Sequence, residues 1–321
     1  MWKEFVVMDV IAMAVSFVMA LLLGHQIIPV LQRLKASQTE RNIMESHVKK
    51  NGTPTMGGVI FLGSMFVVSL ATAHIQPHII PVIILTMGFG IIGFLDDYLK
   101  VVLKRSDGLL AWQKMTLQIV VTTIFAVYIT RYSGISLTMR VPFTNGMMLD
   151  LGWLAIPLLY FAVIGTVNGT NFTDGLDGLA TSVTVVVAAF FTAAAWSLGV
   201  AIDVLGFIMM GALLGFLVFN RHPAKVFMGD TGSLALGGFV AGMAYMLQMP
   251  LFIIGVGIIY LVEVLSVMLQ VGSFKLRHGK RIFRMAPIHH HFELGGWSEV
   301  KIVIVFTVVT VLASILMYFG I

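Results

Sequence analysis

Ile79-Ile80-Pro81-Val82-Ile83-Ile84-Leu85-Thr86-Met87-Gly88-Phe89-Gly90-Ile91-Ile92-Gly93-Phe94-Leu95 carries no charge and ends abruptly in Asp96-Asp97-Tyr98-Leu99-Lys100. A run of this kind approaches the roughly 20 apolar residues that carry a helix through a bilayer. Lipid offers the backbone no hydrogen-bond partner, so the run reads as helix, and the charges at its end mark a membrane surface. The rest of the chain has the same character. Its 321 residues are 58% hydrophobic and 11% charged, against about 25% charged in soluble domains, with a mean hydropathy of +0.97. The 32 glycines and 23 phenylalanines suit a polytopic helical membrane protein. With no cysteine, disulfides, thiolate catalysis and Cys-ligated metal sites are excluded.

Nine further apolar runs occupy residues 8–31, 56–73, 115–130, 153–167, 179–198, 204–219, 234–249, 251–271 and 302–319. The expected fold class is therefore an all-α polytopic membrane protein with ten transmembrane helices. Of the 20 Lys and Arg, 17 fall in the connectors after the first, third, seventh and ninth runs. Basic connectors stay in the cytoplasm, so both termini are expected outside. The excess of positive charge is thereby assigned to membrane anchoring, and no nucleic-acid partner is expected. Lys3 before the first run could suggest a signal peptide. Cleavage would put the basic 33–50 connector outside, so the run is kept as a span. Between Arg131 and Gly152, Ile135, Leu137, Met139, Val141 and Phe143 alternate with other residues and Asn145-Gly146 follows, which predicts a small external β-hairpin. No soluble domain, low-complexity segment or internal repeat is visible, so residues 1–321 are expected to form a single integral membrane domain.

The acidic residues carry the functional signal. Asp96, Asp97, Asp107, Asp174, Asp177, Asp230, Glu293 and Glu299, with Glu40 and Glu45, all fall on the expected cytoplasmic side, and Glu263 is the one read as lying well inside a span. A transporter tends to carry ionisable groups near the midplane. Asp96 and Lys100, four apart, share a helix face, where carboxylates and an ammonium can hold a divalent ion and a phosphate together; a solvated helix end is the plainer reading. In 168–178, two Asp-Gly steps stand beside Asn168 and Asn171, and such oxygens suit Mg²⁺ or a sugar nucleotide; a polar turn is the alternative. Asp230, between Gly229 and Gly232, precedes an apolar helix, whose N-terminus can bind phosphate or be capped by that same Asp. His289-His290-His291 cannot all ligate one metal from a single helical face. Imidazoles near acids and bases bind phosphate or move a proton, or else sit in a wet polar loop. Lys50 to Gly58 resembles an anion-binding loop without the P-loop pattern. Five polar clusters on one membrane face favour Mg²⁺-assisted phosphoryl chemistry on a membrane-resident phosphate.

In this order and spacing the residues resemble the phospho-N-acetylmuramoyl-pentapeptide-transferase family of the polyprenyl-phosphate N-acetylhexosamine-1-phosphate transferases. The resemblance covers nearly the whole chain. It rests on 50–58, Asp96-Asp97, 171–179, 220–233 and 263–293, the last containing Ala286-Pro287-Ile288-His289-His290-His291-Phe292-Glu293. One departure is Ile43-Met44, where relatives often carry Gly-Pro; it bears on the first cytoplasmic loop and not on the chemistry. The resemblance implies that undecaprenyl phosphate attacks the sugar-linked phosphate of UDP-N-acetylmuramoyl-pentapeptide, giving UMP and lipid I for peptidoglycan. It implies Mg²⁺ on Asp230 and a catalytic set of Asp96, Asp97, Asp230 and His289. Asp96 would accept a proton from the lipid phosphate or orient it, with Asp97 in support. Lys50, Thr55, Lys100, Asn171, Asp174, Asp177, Asn220, Phe227, His290 and His291 would bind substrate, with Phe227 the natural aromatic to stack on uracil. The expected setting is the bacterial cell membrane with the site on the cytoplasmic face, and a homodimer is compatible with it. Two alternatives stand beside this reading: a UDP-N-acetylglucosamine-1-phosphate transferase and, from another class, a secondary transporter.

Overall fold

The computed structural model describes residues 2–34, 52–105 and 107–321. Lys50 lies outside these residues. The chain is a helical bundle. In order it contains α1 (Trp2–Arg33), α2 (Gly58–Thr72), α3 (Ile80–Val101), α4 (Ala111–Arg131), α5 (Ala155–Thr173), α6 (Leu179–Leu198), α7 (Asp203–Asn220), α8 (Gly229–Met246), α9 (Ile253–Val256), α10 (Ile258–Leu276), α11 (Ile288–Glu293) and α12 (Glu299–Tyr318). Nine of the ten apolar runs each overlap a single α-helix. Among the described residues, seven helices are long and apolar enough to cross a membrane: α1, α3 with its preceding turn, α5 with its preceding turn, α6, α7, α10 and α12. The chain is thus an all-α, multi-pass membrane protein. The ninth apolar run is not one continuous helix. It starts as a 3₁₀ turn at Pro250–Phe252, continues as the single turn α9, and breaks at Gly257 before α10.

The centre of the bundle is α8. Its sequence is rich in Gly and Ala, and every residue from Thr231 to Met246 is buried. Small residues let helices approach closely in a membrane, so α8 is surrounded by protein where α1, α10 and α12 turn apolar flanks outward. Two glycines set the approach distances near one end of α8. A side chain at Gly93 of α3 would collide with the backbone of Asp230, and one at Gly58 of α2 would collide with Gly232. The same device joins α1 to α7, where a side chain at Gly211 would strike the backbone at Met13.

The 131–152 connector contains one antiparallel pair of two-residue strands, β1 (Met139–Arg140) and β2 (Met148–Leu149), with Met139 opposite Leu149. Asn145 and Gly146 both have positive φ in its turn, as the Asn-Gly step requires.

Candidate active site

Three helix ends meet at one end of the bundle: the last turns of α3 and α5 and the first turn of α8. The close pass of Gly93 brings Asp97 onto the α8 N-terminus. Asp97 Oδ1 accepts the Asp230 backbone N–H at 3.2 Å. Its Oδ2 accepts the Thr231 backbone N–H at 2.9 Å and the Thr231 hydroxyl at 2.6 Å. Free N–H groups at a helix start need acceptors, and here a carboxylate from a neighbouring helix provides them. Asp230 therefore does not have to cap its own helix. Gly229, with φ +70°, makes the turn, and a side chain there would lie 2.5 Å from Asp97 Oδ2.

Two lysines gather the outward carboxylates. Lys114 Nζ lies 2.8 Å and Lys100 Nζ 3.2 Å from Asp230 Oδ2. Lys100 also reaches Asp96 Oδ2 at 2.5 Å, and Lys114 stands 3.9 Å from it. Asn171 Nδ2 donates to Asp230 Oδ1 at 2.8 Å and to Ser233 Oγ at 2.8 Å. The other Asp96 oxygen accepts the Leu109 backbone N–H at 2.7 Å, because the loop through Gly108 folds back over the end of α3. Two anions and two cations thus share one small volume, and the cations offset the repulsion that adjacent carboxylates would otherwise feel.

A polar cavity of about 150 Å³ opens beside this cluster. Its walls are Thr55, Asn171, Asp174, Gly175, Leu176, Asp177, Asn220, Phe227, Gly229 and Asp230. The 52–58 loop is laced to the segment before α8: Phe227 N donates to Pro54 O at 2.8 Å, Gly57 N to Phe227 O at 2.8 Å, and Gly58 N to Met228 O at 2.9 Å. Thr55 and Phe227 thereby face one cavity. Asn220 is committed at both ends of its amide, accepting from Thr181 Oγ1 at 2.7 Å and donating to Val226 O at 3.0 Å. Asp177 Oδ2 meets His222 Nδ1 at 3.0 Å and accepts from Ala224 N at 3.0 Å. Both residues hold the loop that presents Phe227. Glu299 completes this corner, accepting from Asp177 N at 2.5 Å and lying 3.3 Å from His222. Asp177, His222 and Glu299 bring their ligand atoms within 4.8 Å of one another, a set that could hold a metal ion.

The three histidines separate in role. His289 is buried, with Nδ1 3.0 Å from Glu263 Oε1 of α10. Its ring packs on Gly175, where any side chain would collide with it. His290 pairs with Glu293 at 2.8 Å. His291 Nδ1 accepts the Arg284 backbone N–H at 3.1 Å. Glu263 lies inside α10, which runs unbroken through it, and its carboxylate is turned inward onto His289.

The structure brings Asp96, Asp97, Lys100, Asn171 and Asp230 into one cluster, with Thr55, Asp174, Asp177, Asn220 and Phe227 around the adjoining cavity. His289 reaches this region through Gly175. Lys114, Thr231, Ser233 and His222 join the site beyond the residues the sequence points to, and Glu299 joins it as one of the acidic residues of that face. Lys114 had no signal beyond being one basic residue in a basic connector.

The family model for glycosyl transferase family 4 matches residues 79–248, over half of the chain, and the phospho-N-acetylmuramoyl-pentapeptide-transferase signature 1 matches residues 50–62. The phospho-N-acetylmuramoyl-pentapeptide-transferase of Acetivibrio thermocellus is 49% identical over 95% of this chain and 93% of its own. The chain belongs to the phospho-N-acetylmuramoyl-pentapeptide-transferase family. The same name belongs to the relative from Clostridium novyi, 49% identical over 94% of this chain and 93% of its own. It also belongs to one from a Thermoanaerobacter species, 44% identical over 97% and 98%. As a phospho-N-acetylmuramoyl-pentapeptide-transferase, the chain is a membrane transferase of peptidoglycan synthesis. The signature segment includes the loop that pairs with Phe227, so its described part frames the polar cavity.

Proposed function

We propose that the chain transfers phospho-N-acetylmuramoyl-pentapeptide from its UDP-linked donor to undecaprenyl phosphate, releasing UMP, using the Asp96–Lys100–Lys114–Asp230 cluster and the adjoining polar cavity. The observation that carries this reading is the bridging of Asp96 and Asp230 by two lysines at a helix-end cavity. The reaction brings a phosphate monoester against a diphosphate, and cations must offset the combined charge.

An oxygen of the lipid phosphate attacks the phosphorus bonded to the sugar. The bond from that phosphorus to the UMP oxygen breaks, and UMP leaves. A phosphate monoester has a second pKa near 6, so the nucleophile needs orientation more than deprotonation. Asp96 is assigned that task. Asp97 supports it indirectly, by fixing α8 and hence Asp230. Lys100 and Lys114 face the diphosphate, and Phe227 stacks on uracil across the cavity from Thr55. Asn171, Asp174 and Asp177 line the sugar-nucleotide side, Asn220 shapes the loop, and His289, His290 and His291 bound the diphosphate or sugar end.

The donor chemistry at Asp230 fits Mg²⁺: the carboxylate oxygens of Asp230 and Asp96 are hard ligands of the kind Mg²⁺ takes beside substrate phosphates. Asp230 would hold the ion, which when bound supplies positive charge for the transferring phosphoryl group. The lipid tail has a place as well. An apolar cavity of about 550 Å³, lined by Leu158, Phe161, Gly165, Ile254, Val264 and Met268, runs between α5 and α10 to Asn168, one turn from Asn171. It suits a polyprenyl chain.

In this reading residues 1–321 form one integral membrane domain of the bacterial cell membrane. Ten helices cross, both termini and the β1–β2 hairpin lie outside, and the site faces the cytoplasm. The 17-to-3 partition of Lys and Arg supports that orientation. The reading is compatible with a homodimer. The test is purified protein with undecaprenyl phosphate and UDP-N-acetylmuramoyl-pentapeptide, scored for UMP release. UMP release with this donor and not with UDP-N-acetylglucosamine supports the assignment; the reverse preference rejects it.

A further inference from the structure

A separate cavity, of about 350 Å³, opens where the end of α10 meets the 277–287 connector. Val271, Phe274, Met285 and Ala286 form its apolar wall, and Lys275 and Arg281 form its charged one. It shares no wall residue with the polar cavity at Asp230 or with the apolar cavity between α5 and α10. Its walls hold no acidic residue, and from Gln270 to Phe292 the chain has no Asp or Glu. The connector that closes the cavity is tied to α10. Gln270 Nε2 donates to Phe283 O at 3.0 Å, and Gln270 Oε1 accepts the backbone N–H groups of Ile282 and Phe283, each at 3.0 Å. Ser273 Oγ donates to Lys280 O at 2.9 Å. Lys275 of the helix and Arg281 of the connector therefore line one cavity from two anchored segments.

The cavity adjoins the histidine segment. Arg284 N donates to His291 Nδ1 at 3.1 Å, and the Phe283 ring meets the His291 ring edge-on at 5.8 Å. Ala286 in the wall stands three residues before His289, whose ring packs on Gly175 of the transferase cavity. Three residues span at most about 11 Å. The donor of the transfer proposed above carries a peptide joined through its N-terminus to the muramoyl acyl group, which leaves a free C-terminal carboxylate. Five extended residues reach about 17 Å, enough to run from the sugar end at the histidines into this cavity. A guanidinium can hold a carboxylate through two parallel hydrogen bonds, and an apolar wall strengthens that attraction by displacing water. Resting on that transfer reaction, we propose that this cavity is the peptide subsite of the donor, with Lys275 and Arg281 holding the C-terminal carboxylate and Val271, Phe274 and Met285 packing against the peptide side chains.

The test compares two donors on the intact protein in nanodiscs: UDP-N-acetylmuramoyl-pentapeptide with its C-terminal carboxylate, and the same donor ending in a carboxamide. UMP release gives kcat and KM for each. The parent should favour the carboxylate donor by about tenfold or more in kcat/KM, the scale of a charge-assisted hydrogen bond. Arg281→Ala and Lys275→Ala should each lose most of that preference through a raised KM for the carboxylate donor, with kcat kept. Both should handle the carboxamide donor as the parent does, with unchanged thermal midpoints. Arg281→Glu should reverse the preference. A parent that treats the two donors alike overturns the proposal, and so do variants that lose equally with both. An equal loss that appears in phosphatidylglycerol nanodiscs and disappears in phosphatidylcholine would mean that a lipid headgroup fills the cavity, which also overturns it. No UMP release by the parent from either donor rejects the transfer reading itself, and this subsite with it.

Discussion

Asp97 on α3 caps α8 through Thr231, accepting both the backbone N–H at 2.9 Å and the hydroxyl at 2.6 Å. A carboxylate adjacent in sequence to Asp96 is thus spent on the helix that carries Asp230. Asp97→Ala should lower the thermal midpoint and turnover together. Loss of a helix cap costs about 0.5–2 kcal/mol, and loss of charge-assisted bonds from a buried acceptor adds to that. Thr231→Val removes only the hydroxyl bond and should show a smaller effect in the same direction. Thermal melts beside steady-state rates check both. Full stability with abolished turnover in Asp97→Ala would instead place Asp97 against the substrate.

Lys114 contacts Asp230 more closely than Lys100 does, and Lys100 is the closer to Asp96. Lys114→Ala should therefore weaken binding of a non-reacting uridine diphosphate ligand at least as much as it lowers turnover, because it removes a donor-site cation. Lys100→Ala should lose binding and also loosen Asp96. Asp96→Asn should lower turnover strongly with a smaller loss of binding. Calorimetric titration paired with rates separates the three. Unchanged ligand affinity in Lys114→Ala would remove that lysine from the diphosphate site.

Glu263 and His289 form a buried pair at 3.0 Å that ties α10 to the histidine segment. Removing one partner of a buried hydrogen-bonded pair leaves the other unsatisfied, at a cost of about 1–3 kcal/mol. Glu263→Gln keeps the shape and a hydrogen-bonding group, so its loss should be smaller than that of Glu263→Ala. A double-mutant cycle with His289→Gln should show non-additive destabilisation. Strict additivity would mean that the contact carries no energy. The same pairing bears on the transporter alternative: the one carboxylate expected near a midplane path is engaged inside the protein.

The helices were legible because lipid leaves the backbone no other solution, and residues 79–95 already showed it. Bundle order was not. The central place of α8 depends on small residues packing at Gly93 and Gly58, whose contacts lie far apart in sequence. Asp96, Asp230 and Asn171 were legible as polar residues at the ends of apolar runs. Lys114 was not, because only the folding of α4 against α3 distinguishes it from neighbouring basic residues.

The topology reading places the β1–β2 hairpin and the 277–287 connector on opposite sides. The sequence has no cysteine, so single additions report cleanly. Asn145→Cys should react with a membrane-impermeant maleimide in intact cells, and Lys280→Cys only after permeabilisation. Labelling of both in intact cells would contradict the ten-crossing arrangement.

The central claim is that Asp230 serves the reaction through its charge at a Mg²⁺ site and not through its place in the helix, since Asp97 already caps α8. The most direct measurement is UMP release as a function of Mg²⁺ for the parent and for Asp230→Asn in the same nanodiscs, with matched thermal melts. The account predicts Mg²⁺-dependent release by the parent and a loss of at least about a hundredfold in Asp230→Asn, with folding retained and no rescue by saturating Mg²⁺. Near-parental release by Asp230→Asn, or equal release by the parent without divalent ions, would contradict it.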